Sequence, residues 1–410
     1  MIPCFILIHC QKGAFMIASL YEEMLSKKSV IRTLSEFSAE RGKEIGYDNV
    51  FDYSLGNPSV PTPQAFTDIL IRLLQTETPT KLHGYSPTLG IPSVKQAVAA
   101  SLHRRFGIPY QATDIFLTTG AAGAVAHALR CITVPGDEVI TFAPYFPEYT
   151  AYVNLSGAVL KVVPADTAHF QIDFTELEKV ISPKTMAVLI NTPNNPSGAV
   201  YTTDTLQKLA DFLAAKEAEY GHEIYLISDE PYREIVFDGK ASPNPSTFYN
   251  RSIMCYSFSK SLSIPGERIG YIAFHPAIEK SATLTAMCGQ ISRGIGHNCP
   301  ATIMQLAIAE ALDLTSDFSV YEKNANLLYQ ELKDLGFAVQ KPDGTFYIFP
   351  KALEADANLF SQKALKYDLV VVPSDSFGLP GYFRMAYCIP TEKVERSLEA
   401  LRKFVKTEYQ

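Results

Sequence analysis

The sequence predicts an α/β protein: a mostly parallel, seven-stranded sheet between helices, with a second, smaller α/β domain. Three observations carry this. Seven short apolar runs rich in β-branched residues fall between about 115 and 275, separated by helical segments. The runs are continuously apolar, as strands buried on both faces must be. After Pro300 the pattern changes to a long helical stretch, brief strand-like pieces and a closing helix. At 410 residues the chain has room for two or three domains.

In chain order, residues 1–9 are apolar but lack a basic flank, a cleavage site and the length to span a bilayer. Residues 1–15 therefore read as a disordered extension or a misassigned start upstream of Met16, rather than a signal or anchor. Residues 16–50 read as charged and helical, and residues 16–55 are expected to form the first part of the small domain. Helices rich in Ala, Leu and Val follow the turn-rich SLGNPSVPTP. The seven runs are DIFLTT, DEVITFA, VLKVVPA, MAVLIN, EIYLISDE, SIMCYSFS and GYIAF. They place the large domain at 56–300. Residues 301–410, with a helix to about 335, FAVQ, TFYIFP, LVVVP and TEKVERSLEALRKFVK, complete the small domain. Chain ends that meet in one small domain put a ligand at the domain junction.

Composition narrows the function. Hydrophobic residues make up 47% and charged residues 19%, and the net charge is −7. A mildly acidic chain without a Lys/Arg run is unsuited to nucleic acid or anionic membrane. The seven scattered cysteines include no CxxC pair, and the eight histidines show no HExxH spacing. Free thiols in the cytoplasm and no metal are expected.

Ligands of parallel sheets bind beyond the strands' carboxyl ends. After DIFLTT come Gly120, Ala121 and Ala122, which open a helix whose free N–H groups suit a phosphate or simply make a tight turn. After MAVLIN comes TPNNPSG, with Asn195. After EIYLIS comes Asp229, either a helix cap or a buried acid that needs a cation. After SIMCYSF come Ser259 and Lys260, with Ser257 before them and Arg268 beyond. A lysine there either snorkels to solvent or acts as a desolvated nucleophile.

Together and in this order, these residues resemble the class I/II aminotransferases, pyridoxal-phosphate (PLP) enzymes of fold type I. The matching motifs are LGNP (55–58), GYSPTLG (84–90), TTGAA (118–122), NTPNNPSG (191–198), SDEPY (228–232), SFSKS (257–261), PGERIGY (265–271), VVPSDSFG (371–378) and YFRMAY (382–387).

The resemblance implies roles. Lys260 forms the Schiff base with PLP and later moves the Cα proton. Asp229 faces the pyridine nitrogen, while Asn195 and Tyr232 bond the phenolic oxygen. Phe146 stacks on the ring, with Tyr145 as the alternative. Gly120, Ala121, Ala122, Ser257, Ser259 and Arg268 hold the phosphate. Arg384 binds the substrate α-carboxylate, and Gly56 closes over it. Tyr85 reaches the phosphate of a neighbouring subunit, which implies a homodimer with shared sites.

The expected substrates are amino acids and 2-oxo acids, with aspartate and 2-oxoglutarate leading. Arg293, five residues before Asn298, is a candidate for a second carboxylate from the partner subunit. Arg104, Arg105 and Lys81 are further cations without a spacing argument. Alanine, aromatic or sulfur amino acids, or a cystathionine-type C–S β-lyase, are the alternatives. An aminotransferase-like sensor of a transcription regulator would need an N-terminal winged helix, for which the chain leaves no room.

Overall fold

The computed structural model describes residues 21, 22, 25 and 30–410. The extension expected at 1–15 lies outside the described residues. The first described helix, Val30–Ile45, leads into strand β1 (Phe51–Asp52).

The large sheet uses the seven anticipated runs: β2 (Ile115–Thr118), β3 (Glu138–Phe142), β4 (Val159–Val163), β5 (Thr185–Asn191), β6 (Tyr225–Asp229), β7 (Ser252–Ser257) and β8 (Gly270–Phe274). Their order across the sheet is β2-β8-β7-β6-β5-β3-β4. Only β8 runs antiparallel to its neighbours. Apolar side chains alternate between two covered faces, as the two-residue strand period requires. On one face Phe116, Ile227, Ile253, Cys255, Ile272 and Phe274 meet the helices Gly120–Ile132 and Ser281–Gly294. On the other, Met254, Tyr256 and Ala273 meet the helices Gln64–Thr76 and Pro92–Phe106. Val188, Ile190 and Leu226 there meet the helix Thr203–Tyr220. That helix starts on the Thr202 hydroxyl, which accepts from Thr205 N, and ends at Gly221 in the left-handed region.

The sheet places the site. In register, Asn191 lies opposite Asp229 and Asp229 opposite Cys255. Thr118 and Ser257 both lie opposite Gly270, the first residue of the reversed strand. The carboxyl ends of β2, β5, β6 and β7 therefore share one edge with the loop that carries Arg268.

The small domain contains β9 (Tyr347–Ile348), β10 (Leu369–Val370), β11 (Val372–Pro373) and β12 (Phe383–Ala386). Strand β1 pairs in parallel with β10, so the N-terminal segment joins this domain. The helices Ser319–Asp334, Ala357–Leu365 and Thr391–Tyr409 enclose its core around Phe346, Phe360, Phe383 and Phe404.

Beyond residue 300 the structure differs from the expected elements. The helix Thr302–Ala309, which follows the expected boundary at 300/301, packs Met304, Ala307 and Ile308 into one core with Met254, Tyr256 and Ala273 of the large sheet. The helix expected to run to 335 is two, broken between 310 and 318. FAVQ forms no strand.

Candidate active site

A cavity of about 360 Å³ opens at the shared strand edge, between the two domains. Among the sequence-predicted residues, Gly56, Ala121, Ala122, Phe146, Asn195, Asp229, Tyr232, Ser257, Ser259, Lys260, Arg268 and Arg384 line it. The two outer helix-start residues come with Gly120, which lies at φ +84° against Arg268; a Cβ there would stand 2.9 Å from the guanidinium. Glycine suits this position because its left-handed backbone conformation disfavours a side chain, and a Cβ would also oblige the end of the Arg268 side chain to shift.

Asp229 ends β6 and is buried. Its Oδ2 accepts from the Tyr149 hydroxyl at 2.6 Å, and its Oδ1 is buried without a partner. Burial pushes its carboxyl up to about 7, against a smaller opposing effect of the Tyr149 hydrogen bond. An acid in this state is matched to a cationic N–H donor. Asn191 fixes the backbone on both sides: its Nδ2 donates to the Asp229 carbonyl (2.7 Å), and its Oδ1 accepts from Asn195 N (2.7 Å).

Lys260 follows β7 on a single helical turn. Its Nζ donates to the Gly56 carbonyl at 2.8 Å and lies 5.4 Å from the Phe346 ring centre. Desolvation lowers its pKa to about 8; nearby Cys388 opposes the shift, and Arg268 and Arg384 add to it. An amine with that value is a usable nucleophile and base near neutral pH.

The Ser257 and Ser259 hydroxyls lie 2.7 Å apart, beside Ala121 and Ala122 at the start of the helix Gly120–Ile132. Arg268 is exposed in the single chain and donates to the Pro265 and Thr119 carbonyls. Free N–H groups, two hydroxyls and a guanidinium form a phosphate cup.

Arg384 on β12 is buried. It donates to the Ser54 carbonyl (2.6 Å) and to Asn195 Oδ1 (3.1 Å), and its Nε is buried without a partner. The Tyr347 and Phe377 ring centres lie 4.6 and 5.1 Å from its guanidinium carbon. Tyr347 also meets the Tyr232 hydroxyl at 3.1 Å. Gly56 has no room for a Cβ beneath the Tyr347 hydroxyl.

A chain whose buried acid, buried amine and phosphate cup line one cavity, in the motif order of a known enzyme class, invites direct comparison. The model of the class I and II aminotransferases matches residues 48–401. The chain belongs to that family. An aromatic-amino-acid aminotransferase of Thermococcus litoralis is 31% identical over 378 residues, which cover 88% of this chain and 93% of that protein. An aspartate aminotransferase of Bacillus subtilis is 31% identical over 386 residues, 90% of this chain and 94% of its own length. Among solved structures, an aminotransferase from Eubacterium rectale superposes with a TM-score of 0.93 at 41% identity, over 97% of this chain and all of that one. Aspartate aminotransferase from Thermus thermophilus gives 0.84 at 25% identity, over 95% of this chain and all of that one.

Not every expected residue lies in this aminotransferase's own cavity. Tyr85 is fully exposed. Arg293 is exposed at the end of the helix Ser281–Gly294 and does not line the cavity. Arg104, Arg105 and Lys81 are bound to Asp313, Glu234 and Glu77. Phe146 lines the cavity, whereas Tyr145 packs against Gly378. Sequence reasoning missed Tyr149, Tyr152, Asn191 and Tyr347. Asn191 lay inside a quoted motif, and Tyr149 three residues from Phe146; nothing around Tyr347 marked it.

Ionisation in this cavity should be visible in stability. The unfolded Asp229 carboxyl titrates near 4 and the folded one at about 7. A raised value contributes stability that is complete below pH ~4 and lost as pH rises through 7. The cofactor-free protein should therefore melt at progressively lower temperature between pH 4 and 7 than Asp229→Asn does, in a pairwise melting series. Parallel curves would contradict the assignment.

Proposed function

We propose that this chain is a cytoplasmic, homodimeric, PLP-dependent aminotransferase that exchanges the amino group of an L-amino acid with a 2-oxo acid by a ping-pong reaction. The observation that carries the reading is the buried, unpartnered Asp229 Oδ1 in one cavity with Lys260 and Arg384. When bound, PLP supplies an electron-accepting ring that stabilises negative charge at the substrate Cα.

The residues present fit that group. Asp229 would hold the ring nitrogen protonated, Phe146 would cover one face, and Asn195 and Tyr232 would reach the ring oxygen. Gly120, Ala121, Ala122, Ser257, Ser259 and Arg268 would hold the phosphate, so that the binding energy of a non-reacting group orients the reacting one. Arg384 would clamp the α-carboxylate through two parallel N–H bonds, beside Gly56 and Asn195. Lys260 Nζ would take the Cα proton and return it.

The free thiols among the described cysteines, Cys131, Cys255, Cys288, Cys299 and Cys388, support a reducing compartment. The exposure of Tyr85 supports its use by a partner subunit. The small domain is taken to comprise the N-terminal segment to about 55 and the chain beyond about 316.

Aspartate with 2-oxoglutarate is the leading pair, supported by relatives named for aspartate. A second reading, a neutral or aromatic donor, is favoured by the cavity wall. Its described cations are Lys260, Arg268 and Arg384, all assigned above, and Glu148 faces it as well. Preference for a second carboxylate thus rests on Arg293 of the second subunit. Purified protein loaded with PLP and given L-aspartate alone should lose its visible absorbance band to a near-ultraviolet one. A band unmoved by aspartate but moved by phenylalanine selects the second reading; no uptake of PLP refutes the function. With Arg293→Ala, kcat/KM for aspartate should fall by about 10–100-fold, the worth of a charge-assisted pair, while phenylalanine is unaffected. An equal loss for both donors would remove Arg293 from the substrate site.

A further inference from the structure

Tyr149 has no place in the reaction proposed above, yet it touches the acid that the reaction depends on. It lies on the short helix Glu148–Asn154, is 1% exposed, and donates its hydroxyl to Asp229 Oδ2 at 2.6 Å. Its ring meets Phe146 edge-on, with centres 5.7 Å apart at 84°. Phe146 and Asp229 both line the cavity, while Tyr149 stands behind them.

We infer that Tyr149 is a positioning residue: it fixes the plane of the Asp229 carboxylate and the seat of Phe146 together, and keeps the proton of the Asp229–cofactor pair on the cofactor's ring nitrogen. The inference rests on the PLP reading. A carboxylate otherwise turns freely about its terminal torsion. With Oδ2 tied, Oδ1 is the oxygen left for an incoming N–H donor, and it is the one without a partner. The second effect is electronic. A hydrogen bond donated to the charged carboxylate favours that form, so it weakens Asp229 as a competitor for the ring proton. Burial, followed by the neighbouring Asp229 charge, holds the Tyr149 phenol well above its ordinary value, so it stays a neutral donor. Phenylalanine at 149 would leave Oδ2 buried and unpaired, which raises the carboxylate's proton affinity.

The test uses full-length protein loaded with PLP labelled with ¹⁵N in the ring. The compared proteins are wild type, Tyr149→Phe, a variant with 4-aminophenylalanine at 149, and Tyr201→Phe. Tyr201 is a buried tyrosine outside the cavity, so it controls for loss of a buried hydroxyl. The readouts are the ring-nitrogen chemical shift and the rate of PLP release.

Tyr149→Phe should move the shift toward the unprotonated ring and release PLP about tenfold faster, the effect of one charge-assisted hydrogen bond. The aniline, a weaker donor on the same frame, should fall between wild type and Tyr149→Phe. Tyr201→Phe should match wild type. A Tyr149→Phe protein with wild-type shift and release overturns the proposal and leaves the PLP reading standing. If Tyr149→Phe does not fold, a wild-type shift and release in the aniline variant overturns it equally. Wild-type protein that takes up no PLP overturns both.

Discussion

Replacing Lys260 by alanine should abolish multiple turnover while leaving PLP binding in place. In the proposed reading the phosphate cup and Asp229 would hold the cofactor independently of the amine, so uptake should persist. What disappears is the group whose Nζ sits 2.8 Å from the Gly56 carbonyl in a desolvated pocket, with its pKa lowered to about 8. Loss of a positioned base alone costs roughly 10²–10⁴-fold, and loss of the covalent anchor adds to that. Single-turnover absorbance with a saturating amino acid measures the remaining proton transfer. A small primary amine added to the Lys260→Ala protein should restore part of it, because the vacated volume is lined for an amine. Retained multiple turnover would show that another residue moves the proton.

Arg384→Ala should have the second largest effect, and it should be blind to the substrate's side chain. The guanidinium is clamped between two aromatic rings and held by the Ser54 carbonyl and Asn195. Its fork is therefore in place before substrate arrives, and little conformational entropy is lost on binding. Two charge-assisted hydrogen bonds to one carboxylate correspond to roughly 10²–10³-fold in kcat/KM. Arg384→Lys should recover little, because a point charge cannot reproduce the planar pair. Steady-state kcat/KM across aspartate, alanine and phenylalanine checks this. A uniform drop supports the α-carboxylate role, whereas a drop confined to aspartate would exchange the roles of Arg384 and Arg293.

The two variants are most useful together with Arg293→Ala. In the proposed reading Lys260 would act on the Cα proton, Arg384 on the group common to all amino acids, and Arg293 on the group that distinguishes them. Three different patterns of loss across the same three donors separate these assignments without a bound ligand.

Much of this arrangement was legible along the chain. The strand runs could be read because burial on both faces demands unbroken apolar stretches. Gly120, Asn195, Asp229, Ser257 and Lys260 could be read because polar or small residues stand directly past those runs. The family motifs then joined them to Arg268 and Arg384, which lie far apart in sequence. Tyr149 and Tyr347 were not legible. Each is a tyrosine in an apolar setting, and nothing local separates a core ring from one whose hydroxyl meets Asp229 or Tyr232. That the helix Thr302–Ala309 packs with the large sheet was not legible for a related reason. An apolar helical face declares that it will be buried, not against which sheet.

The sequence by itself determined the seven strands of the large sheet and the residues standing just past them, because those follow from short-range patterns of burial and turn chemistry; the roles expected of those residues came from the family resemblance. Tertiary structure alone decided which oxygen of Asp229 is spent and which is free. It also decided how Arg384 is braced from 330 residues away by Ser54. It left Tyr85 and Arg293 outside the cavity of their own chain. Those outcomes depend on distances between elements that one reversed strand and two converging chain ends bring together, and no local pattern encodes them.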